Sequence, residues 1–131
     1  RAVFRHQWYT LNHLAYFMPF NVSKEFTFAA AHALTKYHGA CERLHGHNYR
    51  LRVTVTGPLN NDDLVIDFVE LKTIVKEKIV SQLDHTNLND RFPNPTCELI
   101  AQWIFQQLKP HIPIITVQLW ETDTSFVTYQ E

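Results

Sequence analysis

Two stretches of strict two-residue alternation constrain this chain more than any other feature. From Val22 onward, Phe26, Phe28, Ala30 and His32 fall on one side, and Thr27, Ala29 and Ala31 on the other. From His45, the series His47, Tyr49, Leu51, Val53, Val55 alternates with Asn48, Arg50, Arg52, Thr54, Thr56. Successive side chains of a β-strand point to opposite faces, so each stretch is a strand with one face to bury. A loop with Gly39 as its breaker joins them; Gly57-Pro58 ends the second, and Asn60-Asn61-Asp62-Asp63 makes a turn. The period then changes. Asp67 and Glu70 form a D-x-x-E capping box, Ile66 with Leu71 suits a hydrophobic staple, and Phe68, Leu71, Val75, Ile79 and Leu83 recur at helical spacing. A second helix begins near Thr96, an N-cap after Pro95, turns Leu99, Ile100, Trp103, Ile104 and Leu108 inward, and stops at Pro110. Ile114 to Glu121 and Phe126 to Gln130 close the chain as strands. The order ββααββ predicts an α+β fold, a four-stranded antiparallel sheet with two helices on one face. Long alternating edge strands invite aggregation unless something pairs with them, so joining of sheet edges between copies, a homo-oligomer, is expected.

At 131 residues the chain has room for one core. Residues 1–19 read as an N-terminal extension of unknown role and 20–131 as the single domain; Met18, the sole methionine, is a natural start, which makes residues 1–17 a processed remnant or upstream extension. His6, Gln7, Asn12 and His13 break any apolar run there, so a secretory signal is not expected. Twelve basic against thirteen acidic residues leave no basic footprint for a general nucleic-acid binder. The apolar run Ile112 to Val117 is far too short to cross a bilayer. Two cysteines, Cys41 and Cys97, are too few for a disulfide-stapled secreted scaffold. A cytoplasmic enzyme or binding module remains.

Eight histidines is a high count, and four of them are not scattered. His45 and His47 flank Gly46 at i and i+2 on one strand face, about 6.5–7 Å apart along the chain. Glycine between them lets the backbone bend and keeps the opposite face clear. His32 ends the strand that pairs with theirs. Three neutral imidazoles with an open fourth position make a catalytic rather than a structural zinc site; the plainer alternatives are a polar loop and a satisfied core histidine. Cys41, four residues before His45, is open to two functional readings besides an ordinary loop thiol: a fourth ligand, or a thiolate beside the metal acting as general base. Asp84-His85 follows the first helix as a carboxylate able to orient an imidazole. Glu121, at a strand end, can accept a bidentate N–H/N–H₂ edge. Cys97 has no such neighbours, and the capping box accounts for Asp67.

These residues fall in ordered blocks: Phe26-Thr27-Phe28-Ala29-Ala30-Ala31-His32, Cys41-Glu42-Arg43-Leu44-His45-Gly46-His47-Asn48-Tyr49, Val65 to Lys72, Leu83 to Asn89, Asn94-Pro95-Thr96-Cys97-Glu98, and Glu121-Thr122. The chain from about Phe20 to Glu131 thereby resembles the 6-pyruvoyl-tetrahydropterin synthase family, and within it the branch that forms 6-carboxy-5,6,7,8-tetrahydropterin for queuosine. The three residues between Cys41 and His45 are similar to that branch; the biopterin-forming branch has a longer gap. The resemblance implies zinc on His32, His45 and His47, Cys41 as proton acceptor, His85 as its acid/base counterpart oriented by Asp84, and Glu121 as pterin anchor and part of the relay. It further implies a tunnelling fold closing as trimers and hexamers, with active sites at subunit interfaces. The implied substrate is 7,8-dihydroneopterin triphosphate. Rival readings are an enzyme that stops at triphosphate elimination and a non-catalytic zinc-bearing module. A zinc hydrolase is disfavoured by the absence of an H-E-x-x-H helix.

Overall fold

β1 (Asn21–His32) and β2 (His45–Thr56) pair antiparallel along their whole lengths in the computed structural model, which describes residues 18–131. The register runs from Asn21↔Thr56 to His32↔His45, with Ala30 opposite His47 and Phe28 opposite Tyr49. Residues directly opposite in an antiparallel pair share a face. Phe26, Phe28, Ala30 and His32 are therefore buried together with Tyr49, Leu51, Val53 and Val55, as the alternation predicts. The other face is polar. There Glu25 pairs with Arg52 at 2.7 Å and with Arg50 at 3.4 Å, and the Arg50 guanidinium lies 3.9 Å over the Trp120 ring. The first-helix region is one continuous helix, α1, built as an α-helical stretch Phe68–Val75, a π-helical turn Lys76–Val80 and a last α-helical turn Ser81–Leu83. Asp67 caps it, accepting from the Val69 amide at 2.7 Å.

The π-helical turn has a physical reason in the apolar spacing. Val75, Ile79 and Leu83 lie four residues apart and are all fully buried. At about 100° per residue, two successive steps of four drift roughly 80° around an α-helix. The wider i→i+5 turn absorbs part of that drift and keeps Ile79 and Leu83 on the core side. α2 (Cys97–Leu108) is capped by Thr96, which accepts from the Leu99 amide at 3.2 Å, and buries Cys97, Ile100, Ala101, Ile104, Phe105 and Leu108. It packs on β4 (Ile114–Trp120) and β5 (Phe126–Gln130), where Phe105 meets Tyr129 at 5.2 Å between ring centroids.

Three expectations need correction. The sheet has five strands and is mixed, because β3 (Thr86–Asn87) adds to the outer side of β1 in parallel, giving the order β3-β1-β2-β4-β5. Two residues carry no alternation to detect. Phe68 and Leu99 are exposed, at 58% and 44%. Phe68 opens α1 and lines a surface hollow with Phe20, Leu64 and Val65, and Leu99 stands one residue, about 100°, off the buried stripe through Ile100. Glycine is not sterically demanded at Gly46: a Cβ there would meet the Ala30 carbonyl oxygen at 3.6 Å, an ordinary contact. The extension at 1–17 lies outside the described residues.

Leu51→Ala, at the fully buried centre of β2, should destabilise the protein by about 2–5 kcal/mol, and Thr96→Ala by about 1 kcal/mol. Val69→Ala, on the exposed side of α1, should stay within roughly 0.5 kcal/mol of wild type. Equilibrium urea unfolding measures all three.

Candidate metal centre and its neighbours

The β1–β2 register delivers two histidines to the end of the hairpin, opposite each other, and a third two residues in. Their ring donor atoms all lie within 4.8 Å of one another. The chain holds two of the rings from behind. The Pro95 carbonyl oxygen lies 2.8 Å from His32 Nδ1, with the buried Tyr49 hydroxyl 3.3 Å away, and the Arg43 carbonyl oxygen lies 2.7 Å from His45 Nδ1. A carbonyl can only accept, so both rings carry a proton on Nδ1, which in a neutral imidazole leaves the lone pair at Nε2. Those two Nε2 atoms face each other at 3.0 Å. With both rings neutral neither can donate, so the arrangement calls for a cation between them. His47 Nε2 is buried without a hydrogen-bond partner. Burial holds the His47 pKa below the usual imidazole value, outweighing the nearby Glu121 carboxylate. Three imidazoles, two anchored at Nδ1 by carbonyls and the third with a partnerless buried Nε2, fit a zinc ion.

Glu121 joins this group from β4. The pairing Arg50↔Trp120 places the next residue beside Tyr49, on the face that carries the histidines. Its carboxylate lies 3.7 Å from His47 Nε2 and 3.8 Å from His32 Nε2. Glu121 also lines a cavity of ≈ 300 Å³ with Thr96, Cys97, Glu98 and Phe126. Glu98 entered the sequence reading only as part of the Asn94–Glu98 block, with no role of its own. Among the described residues its exposed carboxylate has no ion-pair or hydrogen-bond partner. Cys97 is inert there: burial pushes its thiol up to about 12, and Sγ contacts the Leu119 carbonyl oxygen at 3.3 Å.

Asp84 and His85 stand on the other side of β1. The Ala29 amide donates to Asp84 Oδ1 at 2.9 Å, and the His85 amide donates to the Ala29 carbonyl at 2.6 Å. His85 takes a left-handed backbone, φ 59°, and its Nδ1 lies 2.9 Å from Asp84 Oδ2. The Ala29 amide holds the Asp84 carboxyl below the usual carboxylate range, and His85 adds to this. His85 and His47 line one cavity of ≈ 520 Å³ along with Ala29, Ala31, Gly46 and Asn48. Cys41 lies apart, half-buried in a 3₁₀ turn, Ala40–Glu42, of the β1–β2 connection. No hydrogen bond joins it to His85 among the described residues. The connection is pinned by Asn89, whose side chain bonds both the amide and the carbonyl of Ala33, and by Asn94, which accepts from Thr35. Sequence reading missed these asparagines and the Pro95 carbonyl because their work is backbone support.

Residues 21–131 match the 6-pyruvoyl tetrahydropterin synthase family. The chain belongs to that family. As a 6-pyruvoyl tetrahydropterin synthase family member it is a pterin synthase by kinship, a lyase class acting on pterin substrates. It is 39% identical to the 6-carboxy-5,6,7,8-tetrahydropterin synthase of Haemophilus influenzae, with 86% of this chain and 99% of the relative covered. It is also 39% identical to the enzyme of the same name from Synechocystis sp., covering 82% and 91%. The structure of 6-pyruvoyl tetrahydropterin synthase from Caenorhabditis elegans superposes with a TM-score of 0.78 at 26% identity, over 88% of this chain and 99% of that one. The family's tunnelling fold is thus this chain's fold. Among the described residues no helix is long and apolar enough to cross a membrane.

His45→Ala and His47→Ala should each lose zinc after dialysis, as read by elemental analysis against wild type. Wild-type zinc content in both variants would exclude this centre. The Asp84 carboxyl has a folded-state pKa below its unfolded one, so its stabilisation is complete above the unfolded value and is lost as pH falls through the folded one. The unfolding midpoint of Asp84→Asn should therefore drop less than that of wild type between pH 6 and pH 2, measured by thermal denaturation.

Proposed function

We propose that the chain is a zinc-dependent lyase that converts 7,8-dihydroneopterin triphosphate and one water to 6-carboxy-5,6,7,8-tetrahydropterin in queuosine biosynthesis, with release of acetaldehyde and triphosphate. The observation that carries this reading is the convergence of three imidazole donor atoms within 4.8 Å of one another beside a carboxylate-lined cavity. The 6-carboxy branch is supported by the relatives from Haemophilus influenzae and Synechocystis sp. and by the three-residue spacing from Cys41 to His45. His32, His45 and His47 would hold zinc, which when bound supplies Lewis-acid polarisation of substrate oxygens.

The remaining chemistry belongs to the side chains. The Glu121 carboxylate is the acceptor for the planar N–H and amine edge of the pterin, with Glu98 in the same cavity. Cys41 Sγ, as thiolate, takes a proton from the substrate side chain. His85 moves protons at Nε2, because Asp84 engages its Nδ1 and fixes the ring. Glu121 closes the relay. Cys41 and His85 make no contact within one chain, which supports a site completed between copies. Among the described residues, β1 is covered by β3 only at Ala30 and Ala31, and the outer side of β5 has no partner strand, so two open edges remain there for neighbours to pair. We place the enzyme in the cytoplasm as a ring-forming homo-oligomer, a trimer or a stacked hexamer.

Incubation of zinc-loaded protein with dihydroneopterin triphosphate, followed by mass spectrometry of the pterin, should give the 6-carboxy product and acetaldehyde. A 6-pyruvoyl product would move the chain to the elimination branch. Cys41→Ala should keep its zinc and lose about 10²–10⁴-fold in turnover, whereas Cys97→Ala should turn over close to wild type. Equal turnover in the two variants would exclude Cys41 from the chemistry.

A further inference from the structure

The outer edge of β1 already receives one anion. The Ala29 amide points away from β2 and donates to Asp84 Oδ1 at 2.9 Å, while the Ala29 carbonyl takes the His85 amide. Amide directions alternate along an antiparallel strand, so the Thr27 amide, two residues away, points outward as well. Among the described residues no strand covers it, because β3 pairs with β1 only at Ala30 and Ala31. At this point the edge opens on a cavity of ≈ 310 Å³ lined by Lys24, Glu25, Thr27 and Arg50 of the sheet and by Lys72 and Lys76 of α1. Four cations face one carboxylate. Glu25 is engaged by Arg50 at 3.4 Å and Arg52 at 2.7 Å, which leaves the three lysines without an ion pair among the described residues. Lys72 and Lys76 stand one helical turn apart, an i,i+4 pair of like charges that weakens a helix, and neither has an acidic residue three or four positions away. Thr27 also lies about 6.5–7 Å along β1 from Ala29, which lines the cavity holding His47 and His85.

We propose that this cavity between β1 and α1 is a polyphosphate-binding site. The Thr27 amide donates to a phosphate oxygen as the Ala29 amide does to Asp84, and Lys72 and Lys76 close over the anion with Lys24 and Arg50 beside them. A chain of linked phosphates matches four cations spread along a strand edge and a helix turn better than one compact anion does. The ligand is the triphosphate group of the pterin, reaching along β1 from the His47–His85 cavity, or a free polyphosphate; only the first source rests on the function proposed above. A neighbour that extends the sheet along β1 pairs between Asn21 and Glu25 and leaves Thr27 to the anion.

Calorimetric titration of the zinc-loaded full chain with inorganic tripolyphosphate, with free zinc held constant by a metal buffer, tests it. Lys72→Ala and Lys76→Ala should each weaken binding about 10-fold and the double variant about 100-fold, since each removes a charge-assisted hydrogen bond. Lys72→Gln and Lys76→Gln keep the length of the side chain without its charge and should lose as much. Lys36→Ala, which removes an exposed cation from the β1–β2 connection, should bind as wild type does. A wild-type chain that does not bind tripolyphosphate, or variants at Lys72 and Lys76 that bind it as tightly as wild type, would overturn the site. Steady-state turnover of 7,8-dihydroneopterin triphosphate identifies the source. If the anion is the substrate's own tail, KM rises about 10-fold in the same single variants while kcat holds, whereas an unchanged KM assigns the site to a free polyphosphate. Tripolyphosphate binding through these lysines in a chain that forms no pterin product would leave the site standing and overturn the function proposed above.

Discussion

The pairing of β1 with β2 is the constraint on which everything else depends. A twelve-residue antiparallel ladder in a single register places His32 against His45 and Ala30 against His47. A slip of one residue would turn one strand's entire apolar set to the polar face, where Glu25, Arg50 and Arg52 now pair. The register is therefore held by the burial of Phe26, Phe28, Tyr49, Leu51, Val53 and Val55. The polar centre inherits its precision from an apolar core it does not belong to.

That inheritance explains how a cluster of imidazoles survives at the edge of a core. Facing lone pairs 3.0 Å apart repel, and a buried ring nitrogen without a partner is costly. The Pro95 and Arg43 carbonyls remove the alternative tautomers that would let the rings satisfy one another. Asn89 and Asn94 hold the loop that leads away from His32, so the ring cannot withdraw by local fraying. The arrangement is tolerable with a cation and poor without one, a case of binding free energy serving as folding free energy.

Much of this was legible in the sequence, and the exceptions have physical causes. Strong periodicity made β1, β2 and both helices readable, and Asp67 and Thr96 marked the helix starts as capping residues should. β3 was invisible because two residues have no period. Phe68 and Leu99 misled because helical spacing gives the stripe but not the footprint of the sheet beneath it. The three histidines could be grouped from spacing and strand direction. The placement of Glu121 could not be, because it depends on the β2–β4 register, Arg50 opposite Trp120, between strands separated by both helices. Glu98 was masked by its ordinary position in a first helical turn, where an acidic residue needs no further reason.

The left-handed backbone at His85 has a consequence for how this position can change over evolutionary time. A side chain there costs roughly 1–2 kcal/mol in conformational energy, and the two hydrogen bonds to Ala29 offset it. β-Branched residues are disfavoured there, whereas glycine, asparagine, aspartate and histidine itself enter this region most readily. Of these, histidine alone carries a nitrogen base. The backbone at residue 85 therefore narrows the choice to a few side chains, and among them only the imidazole can move a proton near neutral pH.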